Sequence, residues 1–129
     1  MKMDLMKGVI DMHVHTNPDL RLRAYDDFEL MEAAICVGAR AIVIKTHQGS
    51  TVDRAYLCNR HNEIVHGKTN DFTMFGGITL NRVVGGMNPK AVEVALRLGA
   101  KVVWLPTQSA KNHLEKRKQD ASRCVEVVK

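Results

Sequence analysis

Two stretches of the chain repeat one joint. Ala34-Ile35-Cys36-Val37-Gly38-Ala39-Arg40-Ala41-Ile42-Val43-Ile44-Lys45-Thr46 and Ala95-Leu96-Arg97-Leu98-Gly99-Ala100-Lys101-Val102-Val103-Trp104-Leu105-Pro106-Thr107 both pass from a helical pattern through Gly-Ala-basic into an apolar run. A helix that stops at glycine and enters a strand at once is the αβ joint of a β-α repeat. A period of about 30 residues implies parallel strands.

The rest of the chain fits the same repeat. Strands are expected at Gly8 to Thr16, Ala41 to His47, Phe72 to Leu80 and Lys101 to Leu105. The first reads as a buried strand, with Ile10, Met12 and Val14 on its apolar side. A helix from Asp27 to Val37, apolar at Phe28, Met31 and Ile35, is capped by Asp26 or Asp27, with Glu29 as reciprocal partner if Asp26 caps. A second runs from a Ser50 or Thr51 cap to Gly67, and a third from Pro89 to Leu98 behind Asn88. Gly76-Gly77 in the third strand marks a close approach to backbone. Residues 123–129 read as a short fifth strand or a frayed tail.

About four β-α units thus fit residues 8–110, followed by a basic segment, 111–129, in a single domain over 1–129. An eight-stranded barrel takes about 250 residues, so the expected fold is α/β, a parallel β-α repeat forming half of a TIM-barrel-like sheet. Its open edges would be closed by pairing with a second copy about a two-fold axis, which predicts a homo-oligomer.

Composition narrows the classes of function. With 45% apolar and 26% charged residues the chain reads as globular. It lacks the roughly 18 consecutive apolar residues of a membrane span, and MKMDLMKGVID lacks a signal peptide's apolar centre, so no membrane association and a cytoplasmic location are expected. Cys36, Cys58 and Cys124 are odd in number and widely spaced, which suggests neither a disulfide framework nor a cysteine zinc site. Cys36 reads as a small core residue. Of the net charge of +5, a surplus of three lies in residues 111–129. Without aromatic interleaving this segment reads as solvated surface, and no nucleic-acid partner is expected.

The chemistry gathers at the strand ends. His13 and His15 share a face at the end of the first strand, and Lys45 and His47 share one at the end of the second. In barrels and open parallel sheets alike, ligands collect at the C-terminal ends of strands. Three neutral imidazoles there form a zinc-like set open to water, with His13, His15 and His47 as ligands. Asp19 completes that set or acts as general base; the alternative is a solvated loop carboxylate. Arg21 and Arg23 clamp an anionic substrate or sit on a surface loop. Asn81 and Arg82 follow the third strand as substrate contacts. His113 is a further ligand, a proton shuttle or a surface residue; His61 and His66 read as surface. Lys45 has three readings: a neutral base, a carbamate ligand, or a cation paired with Asp11 or Asp19.

Asp11-Met12-His13-Val14-His15 resembles the metal-binding start of the amidohydrolase superfamily and of the polymerase-and-histidinol-phosphatase superfamily of phosphoesterases. With IVIKTHQGS (residues 42–50), FGGITLN (75–81), VGGMNP (84–89) and VVWLPT (102–107), the ordered set resembles an uncharacterised amidohydrolase-like family of predicted metal-dependent hydrolases. The resemblance implies a TIM-barrel-type fold and a divalent ion, zinc first with manganese, iron or nickel as alternatives, held by His13, His15 and His47. It implies a metal-activated water attacking an amide, ester or phosphoester of a small, anionic substrate. Later strands, which supply further ligands in such barrels, are not in this chain, so the expectation is either a truncated relative or a partner subunit that supplies the missing groups. The alternative is a catalytically incomplete half-barrel acting as an oligomeric binding or structural protein.

Overall fold

The structure, a computed structural model, describes residues 4–127. Its elements are β1 (Ile10–Val14), α1 (Asp27–Cys36), β2 (Ala41–Ile44), α2 (Val52–His66), β3 (Thr73–Phe75), β4 (Gly77–Thr79), α3 (Pro89–Arg97), β5 (Val102–Trp104) and α4 (Lys111–Lys116), with 3-10 turns at Arg82–Val84 and Ala121–Arg123. The fold is α/β. All pairings between strands are parallel, β1-β2-β3 in one sheet and β4-β5 in the other. Only Gly76 separates β3 from β4, so the strands succeed one another in chain order. A doubly wound fold reverses that order at a switch point; here there is none among the described residues. Crossovers of the right hand usual for parallel strands would place the helices on one face. There Met31 and Ala34 of α1 and Ala55 and Cys58 of α2 pack on Ile42, Ile44 and Met74, while Ala95 of α3 packs with Val52, Ile78 and Leu80.

The local signals explain the element ends. Asp26 accepts from the Glu29 amide at 2.8 Å and Glu29 accepts from the Asp26 amide at 2.8 Å, a complete capping box. Asn88 caps α3 by accepting from the Ala91 amide at 3.2 Å. Gly38 and Gly99 both have positive φ where a helix turns into a strand. Thr51 precedes α2 but does not cap it with its side chain. Its buried hydroxyl donates to the Ile44 carbonyl at 2.6 Å and accepts from the Gly77 amide at 3.0 Å, bridging the point where the third strand leaves β2. The close approach expected at Gly76-Gly77 is present. A Cβ on Gly76 would stand 2.6 Å from the Val52 backbone, and one on Gly77 would collide with the Trp104 ring and the Val102 carbonyl.

Several expectations are corrected. β1 is an edge strand with Ile10 58% and Met12 59% exposed, because no helix covers its outer end. Its register against β2 slips between Asp11 and Val14, as a bulge does, and the Asp11 carboxylate takes up the His13 amide at 3.0 Å. Phe28 is exposed and tilts against His61, and Cys36 is exposed while Cys58 is buried. Residues 124–127 form neither a strand nor a free tail. The Val125 amide donates to the Ser109 carbonyl at 2.9 Å, and its side chain lies over Gly86. Residues 1–3 and the last two of the expected fifth strand, 128 and 129, lie outside the described residues. No helix among the described residues is long and apolar enough to cross a membrane.

One half-buried ion pair locks the β1–α1 loop to α2. Arg54 donates to both Asp27 oxygens at 2.7 Å, to the Thr16 hydroxyl at 2.9 Å and to the Asn17 carbonyl at 3.1 Å, while the Thr16 hydroxyl donates to Asp27. Removing one partner leaves the other charge uncompensated, so Arg54→Ala is expected to cost about 2 kcal/mol in denaturant unfolding. An unchanged midpoint would show that the pair does not hold the loop.

Candidate functional site

At the C-terminal end of β1, the His13 and His15 Nε2 atoms stand 3.3 Å apart. Two nitrogens each about 2.0–2.1 Å from one ion, at that separation, subtend about 105–110°, the tetrahedral angle of a zinc site. Both rings are held neutral. Burial, with Lys45 nearby, lowers His13 despite Asp11. Burial, then the Arg23 charge and the other two imidazoles, takes His15 down to about 4. Neutral imidazoles present the lone pairs that a metal needs.

The groups behind these rings matter as much. His15 Nδ1 is buried without a hydrogen-bond partner and faces Asp19 Oδ2 at 3.7 Å. An imidazole backed by a carboxylate is the usual arrangement around a histidine that binds metal through its other nitrogen. Burial alone would raise the Asp19 carboxyl, but the hydrogen bond and charge of Arg23, at 2.8 and 2.6 Å, hold it below the usual carboxylate value. Asn17 fixes that loop by donating to the Arg23 carbonyl and accepting from its amide. Asp19 therefore stands behind His15, and Arg23 is engaged with Asp19.

His47 packs against His15, with ring centroids 4.8 Å apart, and its pKa is lowered by burial and then by Lys45. His47 Nδ1 lies 2.8 Å from the Thr107 hydroxyl. In the tautomer with the proton on Nδ1, the ring donates to Thr107 and leaves the Nε2 lone pair free. Among the described residues no three His, Cys, Asp or Glu side chains already stand in a metal-holding arrangement. The converging donors are two, His13 and His15, with His47 beside them.

Lys45 is buried, its Nζ 5.0 Å over the Trp104 ring, and burial lowers its pKa. No carboxylate forms an ion pair with it among the described residues, so the reading that paired it with Asp11 or Asp19 is not met. Trp104 reaches over Gly77 to within 6.0 Å of His13. β1 and β5 are three strand spacings apart, about 14 Å in a flat sheet, so this long side chain spans much of the open face.

Asn81 has a different task from the expected substrate contact. Its amide donates to the His47 carbonyl and the Thr107 hydroxyl, both at 2.9 Å, and accepts from the Thr107 and Ser109 amides at 2.9 and 3.0 Å. All four of its hydrogen-bonding positions are occupied by protein, so it positions His47 and Thr107. Arg82 lies apart from the histidines, in a hollow with Asp120 and Arg123. Arg21 and His113 line a cavity next to His47. His61 and His66 sit away from the site, the latter bonded to Glu32 at 2.8 Å. Trp104, Thr107 and Arg54 escaped the sequence reading. Thr107 had a signal, since it matches Thr46 in the repeated joint, but nothing local pointed to the other two.

Residues 8–129 match the model of a family described as a family of unknown function (DUF6282). The chain belongs to this family. No curated protein and no solved structure matches it. Membership extends from just before β1 to the end of the chain, so the histidine pair, Asn81 and α4 all lie within the family's span. The description carries no activity, and the chemistry rests on the geometry above.

Thr107→Val removes the oxygen that faces His47 Nδ1. Loss of such a supporting hydrogen bond is expected to weaken zinc affinity about 10-fold or more, read by competition with a chromophoric chelator. Unchanged affinity would remove His47 from the metal-binding set.

Proposed function

We propose that this chain is a metal-dependent hydrolase of the amidohydrolase-like kind, built on half of a TIM-barrel-like sheet. The observation that carries the reading is the 3.3 Å convergence of the His13 and His15 Nε2 atoms at a parallel-strand terminus. Sequential strand order, helices on one face and the reach of Trp104 across the other support the barrel-like part. The orphaned, buried His15 Nδ1 and the neutral rings fit a divalent cation, zinc before manganese, iron or nickel. Such an ion, when bound, lowers the pKa of a water to about 7 and so provides a nucleophile at neutral pH.

The chain's own residues then have separate roles. His13 and His15 hold the ion, with His47 as third ligand. Asp19, kept ionised by Arg23, faces His15 Nδ1 at 3.7 Å and favours the tautomer with the proton on that nitrogen. Lys45 Nζ, its pKa lowered by burial, stands over the Trp104 ring at the edge of the histidine cluster. Trp104 walls the site and excludes water. Substrates are small molecules with an amide, ester or phosphoester bond, and an anionic group is matched by the cations beside His47. A cytoplasmic setting accords with this use of free thiols and neutral imidazoles.

A second reading, a half-barrel that assembles with copies of itself and binds without turnover, is favoured by the outer strands. Among the described residues β1 and β5 each pair on one side, and Ile10, Met12 and Leu105 there are exposed. One experiment separates the two. Chelator-treated protein is dialysed against zinc, its metal content measured, and an ester, amide and phosphoester panel assayed. One zinc per chain, lost in His13→Ala and His15→Ala, with turnover on one substrate class, is expected. Zinc uptake without turnover selects the second reading, and no zinc uptake overturns the metal site.

A further inference from the structure

Beside the histidines lies a cavity of about 640 Å³, within the range of small-molecule sites. Arg21 and Arg23 contribute one wall, from the β1–α1 loop, and His113, Lys116 and Arg117 another, from α4 and the residue after it; His47 lines it too. Every fixed charge lining the cavity is positive. Arg23 is neutralised by Asp19. Arg21, Lys116 and Arg117 form no ion pair among the described residues, although nearby Lys111 reaches Glu115. Three uncompensated cations around one cavity repel each other and favour an anion between them.

The segment that holds Lys116 and Arg117 read as solvated surface in the sequence. Both side chains are indeed exposed, while the chain beyond them returns to the loop after β5, where the Val125 amide bonds to the Ser109 carbonyl and Ser109 is held by Asn81. Lys116 and Arg117 thus border the cavity as exposed cations on a segment tied to the rest of the fold at Ser109.

We infer that this cavity binds the phosphate group of a phosphorylated small molecule, as an anchor separate from the bond that reacts. A carboxylate has two oxygens, which a single guanidinium fork satisfies. A phosphate carries a charge of about −1.5 to −2 and three terminal oxygens, enough to meet cations on both walls. His47 lines the cavity and packs 4.8 Å from His15, so the remainder of an anchored molecule extends towards the histidine cluster. The inference rests on the hydrolase reading for the reacting end, and on the cavity alone for the anchor.

The test is calorimetric titration of inorganic phosphate into the full chain, stripped of metal and at low salt. Binding is expected, weakened about tenfold or more by Lys116→Ala/Arg117→Ala, which removes two charge-assisted contacts. The charge-matched Lys68→Ala/Lys90→Ala, with both changes at exposed sites outside the cavity, retains it. Circular dichroism confirms that both variants are folded. Absence of phosphate binding, equal loss in the two variants, or equally tight succinate overturns the phosphate anchor. A short single-stranded DNA that binds more tightly than phosphate overturns the small-molecule assignment. Failure here is distinguishable from failure of the metal site. His13→Ala is expected to lose zinc and keep phosphate, and Lys116→Ala/Arg117→Ala the reverse.

Discussion

The site depends on a guanidinium outside it. Arg54, on α2, closes both Asp27 oxygens in a fork and gathers the Thr16 hydroxyl and the Asn17 carbonyl, so that the exit of β1, the start of α1 and the flank of α2 share one charge. Everything the loop carries follows from that anchor. Asp19 stands behind His15, Arg23 holds Asp19 ionised, and Arg21 is presented to the cavity. Lysine in place of Arg54 would keep the charge and lose the fork, because a point ammonium cannot meet both carboxylate oxygens and the hydroxyl together.

A second constraint shapes the open face. Two glycines in succession let the third strand pass under the start of α2 and leave room for the Trp104 ring. The strand changes partner there, from β2 to β5, with Thr51 supplying the hydrogen bonds that the ladder loses. Trp104 then covers Lys45 and approaches His13; its ring face attracts the ammonium, while burial lowers the amine's pKa. On the other side Asn81 ties the His47 carbonyl to Thr107 and Ser109, so the third histidine and the loop after β5 are set by one amide.

What was legible in the sequence was mainly local. Caps at Asp26 and Asn88, glycine stops at Gly38 and Gly99, and the repeated helix-to-strand joint are written in neighbouring residues and were read correctly. The closeness of His13 and His15 follows from period-two alternation and survives the bulge, since the slip lies within the strand and keeps the two residues two apart. The exposure of Ile10 and Met12 could not be read that way, because burial is decided by which elements cover the strand. Arg54 looks like any solvated helix residue until Asp27 is placed opposite it. Lys116 and Arg117 look like any solvated cations in the sequence, and only the fold sets them beside Arg21 and His47.

The central claim is that His13 and His15 bind one cation through their Nε2 atoms, with His47 as the third ligand. X-ray absorption at the zinc edge measures this directly on the zinc-loaded chain. The account predicts imidazole scattering from at least two nitrogens at about 2.0–2.1 Å, falling by one nitrogen in His15→Ala. A first shell of oxygens alone, or a spectrum unchanged by His15→Ala, would contradict it.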